Sequence, residues 1–79
     1  MDINNEVQEI FRKVFEDVNL EINDQMTAND VAKWTSLTHL IMIENVENHF
    51  KIKLTLKELI KLKNVGDLLN LIRQKTRIS

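Results

Sequence analysis

The sequence predicts an all-α fold, a small bundle of three main helices and one short helix with a long structured loop after the first. Three observations carry that prediction. The chain has no proline and a single glycine, Gly66, so helices are permitted almost everywhere along its 79 residues. Apolar side chains recur at intervals of three and four in separate stretches. Strand signals reduce to one short alternation, Lys51-Ile52-Lys53-Leu54.

Ile3, Val7, Ile10, Phe11, Val14 and Val18 form the stripe of an amphipathic first helix over about residues 3–18. Residues 19–35 lose the period but keep Leu20, Ile22, Met26, Val31 and Trp34, so this connection is expected to pack on the core. Asn29-Asp30 within it reads as a turn or a short helical start. A second helix is predicted over 36–50. At about 100° per residue, His39, Met42, Ile43, Val46 and Phe50 share its core sector. Leu37, Ile41, Glu44 and Asn48 face the other way, with Leu40 and Glu47 towards one edge. Apolar residues pointing away from the core make either a partner surface or a face covered by the preceding loop, and both readings stand at this point. Thr55-Leu56-Lys57-Glu58 is a capping box that should open a short third helix over 56–62. Asn64 caps a fourth, with Asp67 near its positive end, a core stripe of Val65, Leu68, Leu69 and Ile72, and the cations Arg73, Lys75 and Arg77 at its negative end.

One domain spanning 1–79 is expected, stabilised by apolar packing alone, since there is no cysteine to form a disulfide or a thiolate metal site. Hydrophobic residues make up 43% of the chain, enough for a core. No apolar run is long enough to span a membrane, and the first residues lack the basic start and apolar segment of a signal peptide. A cytoplasmic location is expected. The net charge of −1 conceals a polarity: residues 1–50 hold ten acids and three bases, whereas residues 51–79 hold two acids and eight bases. The lysines are not interleaved with aromatics, and they read as a solvated basic surface rather than a nucleic-acid site.

Enzyme chemistry finds little support. Ser36 and His39 lie three apart on one predicted helix, but no orienting acid, strained nucleophile turn or glycine-rich phosphate loop accompanies them. His39 falls on the core sector and reads as a packed, hydrogen-bonded histidine. His49, about 15 Å further along the helix, is too distant to share a metal with it. Taken alone, Ser36 reads as a helix cap. A phosphate on its Oγ would nonetheless meet unpaired N–H groups at the positive end of the helix dipole, with any attached arm directed away from the core.

Trp34-Thr35-Ser36-Leu37, a helix ending Glu47-Asn48-His49-Phe50, the Thr55-capped short helix and Asn64-Val65-Gly66-Asp67-Leu68-Leu69 together resemble the acyl/peptidyl carrier protein family. The match covers essentially the whole chain. The resemblance implies a four-helix carrier-protein-like bundle, free-standing and monomeric, that is not itself an enzyme. It implies that Ser36 receives 4′-phosphopantetheine from coenzyme A through a phosphopantetheinyl transferase. The arm's thiol then holds an acyl, aminoacyl or peptidyl group as a thioester for acyl-loading and biosynthetic enzymes. Thr35, Leu37, Leu40, Ile41, Glu44 and Glu47 are the implied partner contacts. Two departures stand out: Thr35 replaces the family's usual aspartate, and Thr38 and Ile41 occupy positions where acids are common. They imply a partner face more apolar and less salt-sensitive than usual. The alternative is an unmodified protein-interaction module on the same fold.

Overall fold

The computed structural model describes residues 2–76, and the expected C-terminal cation Arg77 lies outside them. The element order is α1 (Ile3–Val14), a 3₁₀ turn (Ala28–Asp30), α2 (Ser36–Phe50), α3 (Leu56–Leu59) and α4 (Val65–Thr76). No strand occurs among the described residues.

Asp2 caps α1 by accepting the Asn5 N–H. The helix ends at Val14 rather than at residue 18, because Phe15 turns inward to the core and Glu16 takes a left-handed φ of 53°. Val18 therefore leaves the stripe and is 80% exposed. Past this turn the loop lies back along α1. Arg12 Nε donates to the Leu20 carbonyl (2.7 Å), and the Ile22 N–H donates to Gln8 Oε1 (3.0 Å). Asn29-Asp30 forms the expected short turn, closed by a Thr27–Asp30 capping box. Met26 and Val31 on either side of it are buried, so the loop is part of the core as predicted.

The middle of the loop is fastened to the start of α4. Val65 N–H donates to the Met26 carbonyl and Gly66 N–H to the Asp24 carbonyl, both at 2.9 Å. This contact explains why the one glycine sits there. A Cβ on Gly66 would lie 3.0 Å from the Asp24 carbonyl oxygen and 3.1 Å from its Cβ.

Helix α2 ends on Lys51, which adopts a left-handed φ of 57° while its N–H donates to the Glu47 carbonyl. Residues 52–54 then form a connection that pairs with no strand. Ile52 and Leu54 are buried while Lys51 and Lys53 are exposed, so the alternation reports a half-buried connection. Helix α3 opens on the Thr55–Glu58 capping box as predicted. It stops at Leu59, short of residue 62, because the bonds beyond are the tighter i to i+3 kind, Lys61 to Glu58 and Leu62 to Leu59. Asn64 caps α4 by accepting the Asp67 N–H at 2.9 Å.

Val7 and Phe11 of α1, Met42 and Val46 of α2, and Leu69 and Ile72 of α4 meet in the centre, each at most 1% exposed. No polar or charged residue is buried among them. Polar ties lie on the rim: His49–Glu6 joins α2 to α1, Arg73–Asn4 joins α4 to α1, and Lys75–Glu58 joins α4 to α3. Each such exposed pair is worth about 1 kcal/mol or less, so packing dominates.

Two substitutions test the backbone reading in urea denaturation. Lys51→Gly relieves the left-handed strain and should stabilise the fold by roughly 0.5–1 kcal/mol. Gly66→Ala should destabilise it by about 1 kcal/mol despite the better helix propensity of alanine, because the loop backbone stands where the methyl must go. An unchanged or higher midpoint for Gly66→Ala would contradict the tight loop contact.

Candidate functional site

The start of α2 is built by threonines rather than by the serine. Thr35 is the N-cap: its Oγ1 accepts the Thr38 N–H (3.3 Å), and its own N–H donates to Thr38 Oγ1 (2.7 Å). Thr38 Oγ1 in turn donates to the Lys33 carbonyl (2.7 Å), fixing the chain's entry into the helix. Sequence reasoning missed this role of Thr38, although Thr-x-x-Thr is a weaker form of the capping-box pattern. With capping done by its neighbour, Ser36 is the first residue of the helix, exposed, and free of any structural task. No acidic residue lies in the first turn. A dianionic or monoanionic group on Ser36 Oγ would thus meet the positive helix end with no carboxylate opposing it.

The open question about the outward apolar residues has a clear answer. Leu37 is 68% exposed, Leu40 63% and Ile41 42%, so the preceding loop does not cover them. Together with exposed Glu44 they form a strip at positions 37, 40, 41 and 44, beginning beside Ser36. Glu47 differs from the others. It is partly buried, and its Oε2 accepts the Leu54 N–H at 2.8 Å, so part of its carboxylate holds the segment after α2.

Trp34 stands on the inner side of the same site. Its ring packs edge-on against Phe11 (5.3 Å between centroids) and tilted against Phe15 (5.4 Å). It stacks on His39 at 6.0 Å with 16° between planes, and its Nε1–H donates to His39 Nδ1 (3.0 Å). Partial burial holds the His39 imidazole below its usual value of 6.5. Because Nδ1 is the acceptor, the neutral ring carries its proton on Nε2. His39 therefore has no free ring lone pair to take a proton from Ser36, as its sequence position on the core sector suggested. Among the described residues, no cluster of three or more histidines and acids could hold a metal.

Two hollows adjoin this pair. An open cleft is lined by Thr35, Ser36 and Leu40 together with Ala28, Trp34 and His39. A smaller hollow of about 100 Å³, itself partly open to solvent, lies between α2 and the start of α4, and Met42, Leu62, Lys63, Asn64 and Leu68 line it along with Ala28, Trp34 and His39. Of the residues considered from sequence as core, Phe11, Ile43 and Val46 are packed, while Met42 and Leu68 also border this cavity.

This chain is similar to the holo acyl carrier protein of Geobacter metallireducens, whose structure was solved in solution. The two share 44% sequence identity and superpose with a TM-score of 0.89 over 95% of this chain and 86% of the other. No family model matches the chain, and no curated protein matches it.

The lowered His39 value sets a pH dependence. Its proton binds better to the unfolded chain, so the stability His39 contributes is full above about pH 6.5 and is lost as the pH falls below that value. Relative to His39→Gln, whose amide oxygen can accept from Trp34 without titrating, the wild type should lose urea resistance as the pH falls below about 6.5. Parallel curves for the two proteins would remove His39 from the acid response.

Proposed function

The chain belongs to the acyl carrier protein family, and from that premise we propose that it carries its cargo on a 4′-phosphopantetheine arm joined to Ser36 Oγ. The observation that supports this most directly is the division of labour at the start of α2. Thr35 and Thr38 make the cap, and Ser36 projects from the first helical position, exposed and unengaged. The residues present fit the group: the phosphodiester would face the free N–H groups of the first turn, where the helix dipole favours negative charge and no acid stands nearby. The bound arm would supply a terminal thiol that holds the cargo as a thioester. The protein's own part is to hold the helix end rigid, keep the arm's root in solvent and offer a docking strip next to it.

Leu37, Leu40, Ile41 and Glu44 are that strip, with Thr35 at its head and the exposed part of Glu47 at its foot. A transferase and the enzymes that load and use the cargo would read it in turn. Its centre is apolar and only Glu44 is a freely exposed acid within it, so contact area rather than charge would supply most of the affinity. Catalysis belongs to those partners, and the carrier acts as a monomer that is their shared substrate.

Incubation with coenzyme A and a broad-specificity phosphopantetheinyl transferase should raise the intact mass by one phosphopantetheine unit, and Ser36→Ala should show no gain. No gain in the wild type with several transferases would favour the unmodified interaction module. Thr35→Asp keeps the cap and adds the charge usual in the family, so it should speed modification without changing stability by more than about 0.5 kcal/mol. Leu40→Asp should lower transferase kcat/KM by about tenfold or more, which corresponds to about 1.4 kcal/mol or more of lost contact. Raising the ionic strength should have a smaller effect than that substitution. Salt that abolishes modification of the wild type would show the strip to be electrostatic after all.

A further inference from the structure

A second apolar surface lies away from α2. Leu56 and Ile60 are 75% and 71% exposed, more than any residue of the α2 strip. They stand one helical turn apart, at the start of α3 and just past its end, and the Ile60 N–H donates to the Leu56 carbonyl at 3.0 Å. That spacing puts both on one side of the turn. Leu59 and Leu62 take the other side and pack on the core, whereas Leu56 and Ile60 lie outside it.

Positive charge surrounds the pair. Residues 51–63 hold five lysines, Lys51, Lys53, Lys57, Lys61 and Lys63, and a single acid, Glu58. All five lysines are exposed. Glu58 is already engaged: its Oε1 accepts the Thr55 N–H, and its Oε2 pairs with Lys75 Nζ at 2.8 Å. We propose that this surface docks on an anionic lipid bilayer, with Leu56 and Ile60 entering the headgroup region and the lysines meeting the lipid phosphates.

The chemistry of the patch selects lipid over an acidic protein face. Residues 51–63 contain no arginine and no aromatic residue. Those are the types that anchor protein interfaces, whose cores are also poor in lysine. Lysine is a compact charge on a flexible stem, suited to a diffuse field of phosphates rather than to one fixed carboxylate. Its methylenes lie along apolar surface while its ammonium reaches the headgroups. The charge polarity of the chain orients the approach. Residues 1–50 hold ten acids and three bases, so an anionic surface attracts the α3 side and repels the remainder. Two aliphatic side chains are too few for a permanent anchor, so docking is weak and reversible.

Flotation of the full chain with lipid vesicles tests this and needs no modification of Ser36. At low salt the protein should partition onto vesicles of equal parts phosphatidylglycerol and phosphatidylcholine, and about tenfold less or weaker still onto phosphatidylcholine alone. Added salt should lower the partition several-fold. Lys57→Glu combined with Lys61→Glu should abolish it. Leu56→Ser combined with Ile60→Ser should reduce it several-fold at unchanged charge. All four side chains are exposed, so the urea midpoints of both variants should stay near that of the wild type. Leu40→Ser, on the α2 strip, should partition as the wild type does. Equal partition onto neutral and anionic vesicles overturns the proposal. So does wild-type partition by the Leu56/Ile60 serine variant, or a loss in Leu40→Ser as large as in that variant. A wild type that ignores the mixed vesicles at low salt overturns the lipid surface and assigns the patch to an acidic protein face instead.

Discussion

Trp34 joins the core to the site. One edge of its indole rests on Phe11 and Phe15 of the first helix region, while its N–H and its face engage His39 on α2. Aromatic contacts of this geometry add about 0.5–1.5 kcal/mol each beyond the area they bury. Their more important effect here is positional. Trp34 immediately precedes the Thr35 cap, so wherever the indole is held, the first turn of α2 and Ser36 are held too. A chain of this size with no cysteine has few other ways to fix a loop of some twenty residues.

The loop itself is tied to two helices by hydrogen bonds through its backbone, to side chains of α1 and to backbone N–H groups of α4. Its first part lies on α1 through Arg12 and Gln8, and its middle is fastened to α4 through Val65 and Gly66. The first turn of a helix has free N–H groups, and here two of them serve as the clasp. The same physics leaves the first turn of α2 open. Thr35 takes one of the N–H groups there, beside the exposed Ser36. One helix end is used for folding, and under the proposed function the other serves the attachment of the arm.

The surface follows from how each helix divides its faces. Helix α2 buries Met42, Ile43, Val46 and Phe50, and it leaves Leu37, Leu40 and Ile41 in water. A helix apolar on two sides leaves an exposed apolar patch, the kind of surface on which proteins meet partners. The chain belongs to the acyl carrier protein family, and under the proposed function this strip is the face that partner enzymes read. Leu56 at the start of α3 and Ile60 just past its end are exposed as well, in the basic part of the chain.

The sequence by itself determined the four helices, the caps of the third and fourth, and most of the core, because these depend on interactions within one turn or on a periodic stripe. Thr55–Glu58 and Asn64–Asp67 were legible as caps for that reason, and so were Val46 and Ile72 as core. Helix ends were less legible. Val18 fits the period of α1 perfectly well, but Phe15 is drawn into the core and the chain turns before reaching it. Ser36 was singled out by its place in a family pattern, and the structure shows that its neighbours Thr35 and Thr38 do the capping. The exposure of Leu37, Leu40 and Ile41, the diversion of Glu47 to Leu54 and the Trp34–His39 contact were decided only by tertiary structure. Each depends on where a distant loop comes to rest, and no local period encodes a contact between segments that meet only after the chain has folded.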